Sequence, residues 1–216
     1  MKKKYIWINS NISFNIIEKM DQRTIIGICL ALMIIYCLWY EHTNLLFLGI
    51  NLALIYDIRY MLIEHKLDKK IVGIFLLIII RFNIYLYEIY DKKSYEIIKI
   101  AAITQTSDVY QYLAGKYYGK NKIGWISKNK TIEGYIVGNI MTIVTFVPII
   151  WVYENTKLVM IIKNIEEIYI LGIIGGLCSS LFKRIIDIKD YSNLLGPHGG
   201  WIDRIDSIIL PLLVIC

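Results

Sequence analysis

Thr131-Ile-Glu-Gly-Tyr-Ile-Val-Gly-Asn-Ile-Met-Thr-Ile-Val-Thr-Phe-Val-Pro-Ile-Ile-Trp-Val-Tyr153 runs for 23 residues with one charged side chain, Glu133, near its start. As a helix it would be about 34 Å long, enough to cross a hydrocarbon core about 30 Å thick. Similar apolar blocks recur on both sides of it. We read seven: Thr24–Tyr40, Asn44–Ile63, Ile71–Tyr87, Tyr95–Tyr112, Thr131–Tyr153, Glu166–Phe182 and Ile205–Cys216. A spanning chain must satisfy its backbone internally, so the choice is helix or closed barrel. Runs such as Ile71–Ile80 lack the polar/apolar alternation of a barrel strand, and only 3 Pro interrupt the chain. The expected fold is all-α, a polytopic transmembrane helical bundle of about seven membrane segments.

Composition agrees. Of 216 residues 56% are hydrophobic, and the mean hydropathy is +0.52. That is too apolar for an ordinary soluble domain and far from a disordered chain. The four cysteines (Cys29, Cys37, Cys178, Cys216) lie in apolar blocks without CxxC spacing. They read as small core residues, not as a zinc or disulfide framework. Met1–Lys4 is basic, but Tyr5–Arg23 mixes polar and apolar residues. No cleaved signal peptide is expected, and Thr24–Tyr40 reads as a retained anchor.

The net charge of +6 admits nucleic acid, anionic lipid or loop topology as its cause. The layout of the charges selects topology. Lys2, Lys3, Lys4, Lys19, Arg23, Lys66, Lys69, Lys70, Lys116, Lys120, Lys122, Lys128, Lys130, Lys183, Arg184, Lys189 and Arg204 fall on one side of the seven segments. Only Lys92, Lys93, Lys157 and Lys163 fall on the other. Seventeen against four puts the N-terminus and the long polar loops 113–130 and 183–204 in the cytoplasm. A polar site on those loops faces the cytoplasm, and no nucleic-acid partner is expected.

The densest polar stretch reads Ser180-Leu-Phe-Lys183-Arg184, then four residues, then Lys189-Asp190-Tyr-Ser192-Asn-Leu-Leu-Gly196-Pro197-His198-Gly199-Gly200-Trp-Ile-Asp203-Arg204-Ile-Asp206. Glycines let backbone N–H groups approach phosphate oxygens. Lys and Arg neutralise a triphosphate, and Asp offers hard oxygen ligands to Mg²⁺. On chemistry alone two readings stand: an Mg-nucleotide site, or a solvated basic loop that only sets topology.

The stretch closely resembles the C-terminal signature of the phosphatidate cytidylyltransferase (CDP-diacylglycerol synthase) family. Every fixed position of that signature is present from Ser180 to Asp206. Two upstream stretches are similar to other elements of the family. One is Asp108-Val-Tyr-Gln-Tyr112 followed by Gly115-Lys116 and Gly119-Lys120; the other is Ser127-Lys-Asn-Lys130-Thr131-Ile-Glu133-Gly134. The resemblance covers residues 95–216, a core with signature loops at 108–134 and 180–206. Residues 1–94 match only as an N-terminal tail and generic membrane helices.

The resemblance implies transfer of a cytidylyl group from CTP to phosphatidic acid, giving CDP-diacylglycerol for phospholipid synthesis. It implies catalytic roles for Asp203, Lys183, Arg184, Lys189, Asp190, His198 and Arg204. CTP and its phosphates fall to Asp108, Lys116, Lys130, Thr131, Glu133, Ser180, Gly199, Gly200 and Asp206. Asp203 and Asp108 would hold Mg²⁺, as one ion or with a second cation. Membrane lipid is an expected partner, and a homodimer is left open.

Plainer readings stand beside these roles. Asp108 near a segment end can be a cap, Glu133 a first-turn helix carboxylate, and His198 a loop organiser between Pro197 and Gly199. Gly134 with Gly138, and Gly172 with Gly175 and Gly176, can be helix-packing faces.

Two departures from the family matter. Lys128 replaces the Pro of its Ser-Pro element. Gly176 stands where the family usually has an Asp, one helical turn before Ser180 and facing the same site. The resemblance makes that Asp a metal ligand, and Asp187, Asp190 and Asp108 are the candidates to replace it. Three alternatives therefore stay open. They are an enzyme for another lipid phosphate, a degenerate member that binds nucleotide or lipid without turnover, and a transporter supported only by Arg59, Arg81 and Lys99.

Overall fold

The computed structural model describes residues 43–124, 127, 130–196 and 199–216. The expected first segment, Thr24–Tyr40, lies outside them. Five α-helices account for most of the described chain: α1 (Thr43–Ile63), α2 (Lys69–Tyr118), α3 (Ile132–Glu154), α4 (Leu158–Ile185) and α5 (Ile202–Ile215). Among the described residues there is no strand, only an isolated bridge between Lys122 and Thr131. The fold is all-α.

Of the expected segments in the described residues, 44–63, 71–87, 95–112 and 166–182 fall within helices, while Thr131 caps α3 and Cys216 follows the end of α5; 71–87 and 95–112 share one helix. The 95–112 segment was expected to end in a polar loop at 113; α2 continues to Tyr118. The 166–182 segment was expected to follow a loop carrying Lys163; α4 begins at Leu158 and already contains Lys163. Single lysines, Lys116 in one case and Lys163 in the other, sit among residues that sustain a helix and do not end it. The loop expected between Tyr87 and Tyr95 is replaced by helix broken at one residue, Lys93 (φ −133°, ψ 26°). No Gly or Pro occurs in 88–94 to end the helix.

By contacts the chain forms two compact units. Of the described residues the first holds those in 43–61 and 190–203, the second those in 62–189 and 204–216.

In the first unit α1 buries Leu54, Asp57, Ile58 and Met61, spacings that define one helical face. Leu48, Leu52 and Ile55 are exposed. In the second unit Phe82, Ile100, Ile103, Ile150, Ile161, Ile165, Ile168 and Leu212 form one apolar cluster. The break at Lys93 lets both halves of α2 contribute to it.

Hydroxyls inside these apolar helices bond to their own backbone. Thr142 Oγ1 donates to Gly138 O at 2.7 Å, and Thr145 Oγ1 to Met141 O at 2.8 Å. Tyr169 OH donates to Tyr135 O at 2.6 Å and ties α4 to α3.

Helix α3 is long and apolar enough to cross a membrane, alone among the described helices by length and composition. Only 22% of its apolar window is buried within the protein. Ile136, Ile140, Val144, Trp151 and Val152 face outward, a surface suited to lipid. Cys178, expected in the core, is exposed, and Cys216 is half-buried.

Close backbone approach between α2 and α3 rests on two glycines. A Cβ on Gly138 would lie 2.8 Å from Gln111 Cγ and 3.1 Å from Gln111 N. One on Gly134 would lie 2.7 Å from Gln111 O. Both therefore form the packing face read from the sequence. Gly134→Ala and Gly138→Ala are each expected to cost about 1–3 kcal/mol through overpacking. Gly73→Ala, with nothing within 4 Å of the added carbon, should cost nothing. Thermal unfolding in detergent checks this; equal melting of Gly138→Ala and the parent would refute the packing role.

Candidate active site

In the second unit the signature residues gather at one end. That end comprises the last turns of α2, the loop 119–131, the first turn of α3, the second half of α4 and the start of α5. Lys99 marks the opposite end. It is buried and bonds Glu154 Oε1 at 2.8 Å and Glu96 Oε2 at 2.9 Å. From Thr131 to Glu154 α3 rises about 34 Å, close to a hydrocarbon thickness, with the polar clusters at its two ends.

Asp108 Oδ2 accepts from Ser207 Oγ at 2.9 Å, and its Oδ1 lies 3.8 Å from Lys130 Nζ. Lys183 Nζ lies 3.6 Å from Asp206 Oδ2, both largely buried. Lys130 Nζ also stands over the Tyr135 ring, 5.6 Å from its centre. Cations and carboxylates thus alternate along the inner walls, each charge held by a counter-charge.

The loop into α3 is built by residues the sequence had assigned to substrate. Thr131 caps α3, accepting from Gly134 N at 3.1 Å, and is buried. Gly115 and Gly119 leave the room it occupies: a Cβ at 115 would lie 2.9 Å from Thr131 Oγ1, and one at 119 would collide with Gly115 O and Thr131. Glu133 accepts from the backbone N–H groups of Lys120 and Asn121 at 3.1 Å, and from Asn121 Nδ2 at 2.7 Å. It pins the loop to the first turn of α3, where a carboxylate also suits the helix dipole.

A cleft of about 200 Å³ opens beside Asp108 and Lys130. Gln111, Tyr112, Ser127, Thr131 and Tyr135 complete its lining. Ligand pockets are commonly about 300–1,000 Å³, so the cleft suits part of a nucleotide more than a whole one. Gln111 Oε1 and Tyr135 OH are buried with no hydrogen-bond partner among the described residues. Two orphaned polar atoms beside a cation are the groups expected to orient a polar ligand.

The first unit carries the remainder of the signature. Asp203 Oδ2 accepts from Tyr191 N and Gly200 N, each at 2.9 Å. Gly199 has φ +78°, and Gly196 φ +55°. Gly199 N donates to Gly196 O at 3.1 Å, and Leu195 N to Gly199 O at 2.9 Å. The N–H groups of both paired glycines are thus spent within the loop. Asp57 on α1 is fully buried and accepts from Ser192 Oγ at 2.6 Å and Ile202 N at 2.8 Å. A Cβ on Gly200 would lie 2.7 Å from Asp57 Oδ2 and 2.8 Å from Ser192 Oγ.

The remaining expected residues fall as follows. Ser180 is half-buried on α4. Arg184 is exposed at the end of α4 and donates to Ile188 O at 3.2 Å. Lys116 is exposed and lies over Tyr117, and Lys189 is exposed. Asp190 is half-buried in the first unit, its Cβ 3.3 Å from where a Gly199 Cβ would be. The Arg204 side chain is exposed, while its carbonyl accepts from Gln105 Nε2 at 2.9 Å. His198, Pro197 and Lys128 lie outside the described residues.

At Gly176 a Cβ would meet only Lys130 Nζ at 3.6 Å and Ser207 Cβ at 3.8 Å, ordinary contacts. Gly172 and Gly175 are tight by comparison, with Thr104 Cγ2 at 2.7 Å and Asp206 O at 3.1 Å. The close-approach reading holds for those two and fails for Gly176, where an added Cβ would make only ordinary contacts. Of the three candidates to replace the family carboxylate, Asp108 shares the neighbours Lys130 and Ser207. Asp187 is exposed at φ +56°.

Sequence reasoning gave no role to Asp57, Ser192, Ser207, Gln111 or Tyr135. Asp57 alone left a usable signal, an ionisable group inside an apolar segment.

Comparison with known proteins is consistent with this set. The pattern of the cytidylyltransferase family matches residues 10–216. A phosphatidate cytidylyltransferase of Staphylococcus saprophyticus is 37% identical over 134 residues, 60% of this chain and 51% of that protein. One from Staphylococcus haemolyticus is 40% identical over 116 residues, 50% of this chain and 43% of that protein. The chain spans about half the length of the curated relatives it matches. With the match covering nearly its whole length, the chain belongs to the cytidylyltransferase family.

Proposed function

We propose that the protein is a multi-pass membrane enzyme that makes CDP-diacylglycerol from CTP and phosphatidic acid. The observation that carries this reading is the full signature from Ser180 to Asp206 in a chain of this family. The names of its relatives support the choice of substrate. A phosphate oxygen of phosphatidic acid attacks the α-phosphorus of CTP. A new P–O bond forms, the bond from that phosphorus to the bridging oxygen breaks, and pyrophosphate leaves with the electron pair. A phosphomonoester has its second pKa at about 6, so the nucleophile is already ionised at neutral pH and no strong base is needed. What the protein must supply is alignment of two polyanions and neutralisation of developing charge.

Lys130 and Lys183 are placed to hold phosphates in the second unit, with Arg184, Lys189 and Arg204 as further cations. Gln111 and Tyr135 offer polar contacts in the cleft. Asp203 and Asp108 have the donor chemistry for Mg²⁺, which is commonly held by one or two carboxylates plus substrate phosphates. When bound, the ion offsets negative charge on the transferring and departing phosphates. Seven segments, with the signature loops in the cytoplasm, would let the acyl chains stay in lipid while the headgroup meets CTP.

Detergent-purified protein is expected to incorporate labelled CTP into a lipid-soluble product with phosphatidic acid and Mg²⁺. Asp203→Ala should lower the rate about 100-fold or more, the scale for removing a transition-state charge stabiliser. Folded protein giving no product over several metals and lipids would overturn the activity.

Gly176 favours a second reading, a degenerate binder. Gly176→Asp should fold as well as the parent. Activity in the parent that this change leaves within about threefold removes the degenerate reading; product only after the change establishes it.

For topology, Lys120→Cys and Lys157→Cys should label from opposite faces of sealed vesicles. Labelling from the same face would sink the seven-segment arrangement.

A further inference from the structure

We infer that Asp57 is a positioning residue: its carboxylate tethers the 190–203 loop and thereby sets the placement of Asp203. It lies on α1, outside the stretch that resembles the family signature, and nothing in the signature calls for it. The carboxylate is fully buried on the inner face of the helix. Its two oxygens are divided between two parts of the loop, Oδ1 on the Ser192 hydroxyl at 2.6 Å and Oδ2 on the Ile202 amide at 2.8 Å. The Ile202 amide is the first of α5, one of the donors a helix leaves unsatisfied at its start. Asp57 therefore acts as a cap supplied from another helix, and its charge suits the positive end of α5.

The loop is cut to receive it. Ser192 bridges, donating to Asp57 while accepting from Leu194 N at 3.2 Å. Gly200 has no side chain because the Asp57 carboxylate and Ser192 Oγ fill the space a Cβ would need. The Gly200 amide, held on that spot, donates to Asp203 Oδ2. Asp57 thus holds the amide of Ile202, the residue next to Asp203, and lies beside Gly200, whose amide Asp203 accepts. Ser192 and Gly200 are thereby explained by a carboxylate on α1 and not by contact with phosphate. A buried carboxylate with charged hydrogen bonds is strong when complete and costly when one partner is lost.

The tether follows from the geometry alone; its effect on turnover rests on the proposed cytidylyl transfer, so the test has two arms. The first is hydrogen exchange of the full chain in detergent. Asp57→Leu, and Ser192→Ala as a milder variant that keeps the Ile202 contact, should speed exchange across 190–203. The expected factor is about tenfold or more for Asp57→Leu, with the amides of α3 and α4 unchanged. Equal exchange in the loop for parent and both variants overturns the tether. If Asp57→Leu does not fold, Ser192→Ala decides in the same way.

The second arm is kinetic. Asp57→Leu should lower kcat about 30-fold or more with KM for CTP within about threefold, because the phosphate-holding cations are untouched. Asp57→Asn, which retains shape and one acceptor, should recover part of the loss. A raised KM with unchanged kcat, or no recovery by Asn, overturns the positioning role. A parent without activity defeats the cytidylyl-transfer reading and leaves the tether to be decided by exchange.

Discussion

A charge inside an apolar helical bundle survives only where donors or counter-charges converge on it. The penalty for an unpaired buried ion is several kcal/mol, in protein or in lipid. Each polar cluster obeys this constraint. Asp57 takes a hydroxyl and a helix-start amide. Asp108 takes Ser207 and Lys130. Lys99 takes two glutamates and lies over the Tyr95 ring. Because partners are easiest to find where helices end and loops begin, the ion pairs described in the second unit lie toward its two ends. The same constraint that stabilises the bundle thus collects reactive groups into a polar site at one end.

That view divides the signature into residues that shape and residues that act. Gly115 and Gly119 give way to Thr131, Thr131 caps α3, and Glu133 ties down the loop backbone. Ser192 and Gly200 receive Asp57. These contacts are made within the protein, and of the residues making them Thr131 also lines the cleft. Lys130, Lys183, Asp108 and Asp206 instead hold one another in pairs longer than 3.5 Å, loose enough to exchange partners when a phosphate or a cation arrives. Within the motif, contacts that build the loops thus stand beside a few paired charges.

Much of this was legible in the sequence. Apolar runs located every described helix, and Gly134 with Gly138 was readable as a packing face from spacing alone. The helix ends were not, because single lysines such as Lys116 and Lys163 sit among residues that sustain a helix and do not end it. The break at Lys93 carries no Gly or Pro to announce it. Roles inside the signature were legible only as residue types. Spacing gave no means of knowing that Gly200 faces a carboxylate 143 positions upstream, since the contact is made by the fold.

Gly176 shows how far the charge arrangement carries. In relatives of the usual pattern a carboxylate would stand here, and Lys130 is the nearest group to where it would project. Without it Lys130 has, among the described residues, the Asp108 carboxylate at 3.8 Å, a distance beyond hydrogen bonding. The local balance moves toward positive. A more positive pocket holds a polyphosphate more firmly in the ground state and a divalent cation less firmly. Catalysis gains only from interactions that strengthen in the transition state. Under the proposed cytidylyl transfer the substitution would therefore bear on the chemical step more than on nucleotide binding. It also leaves the close helix packing unaffected, because a Cβ at 176 makes only ordinary contacts and the neighbouring Gly172 and Gly175 carry the close approach.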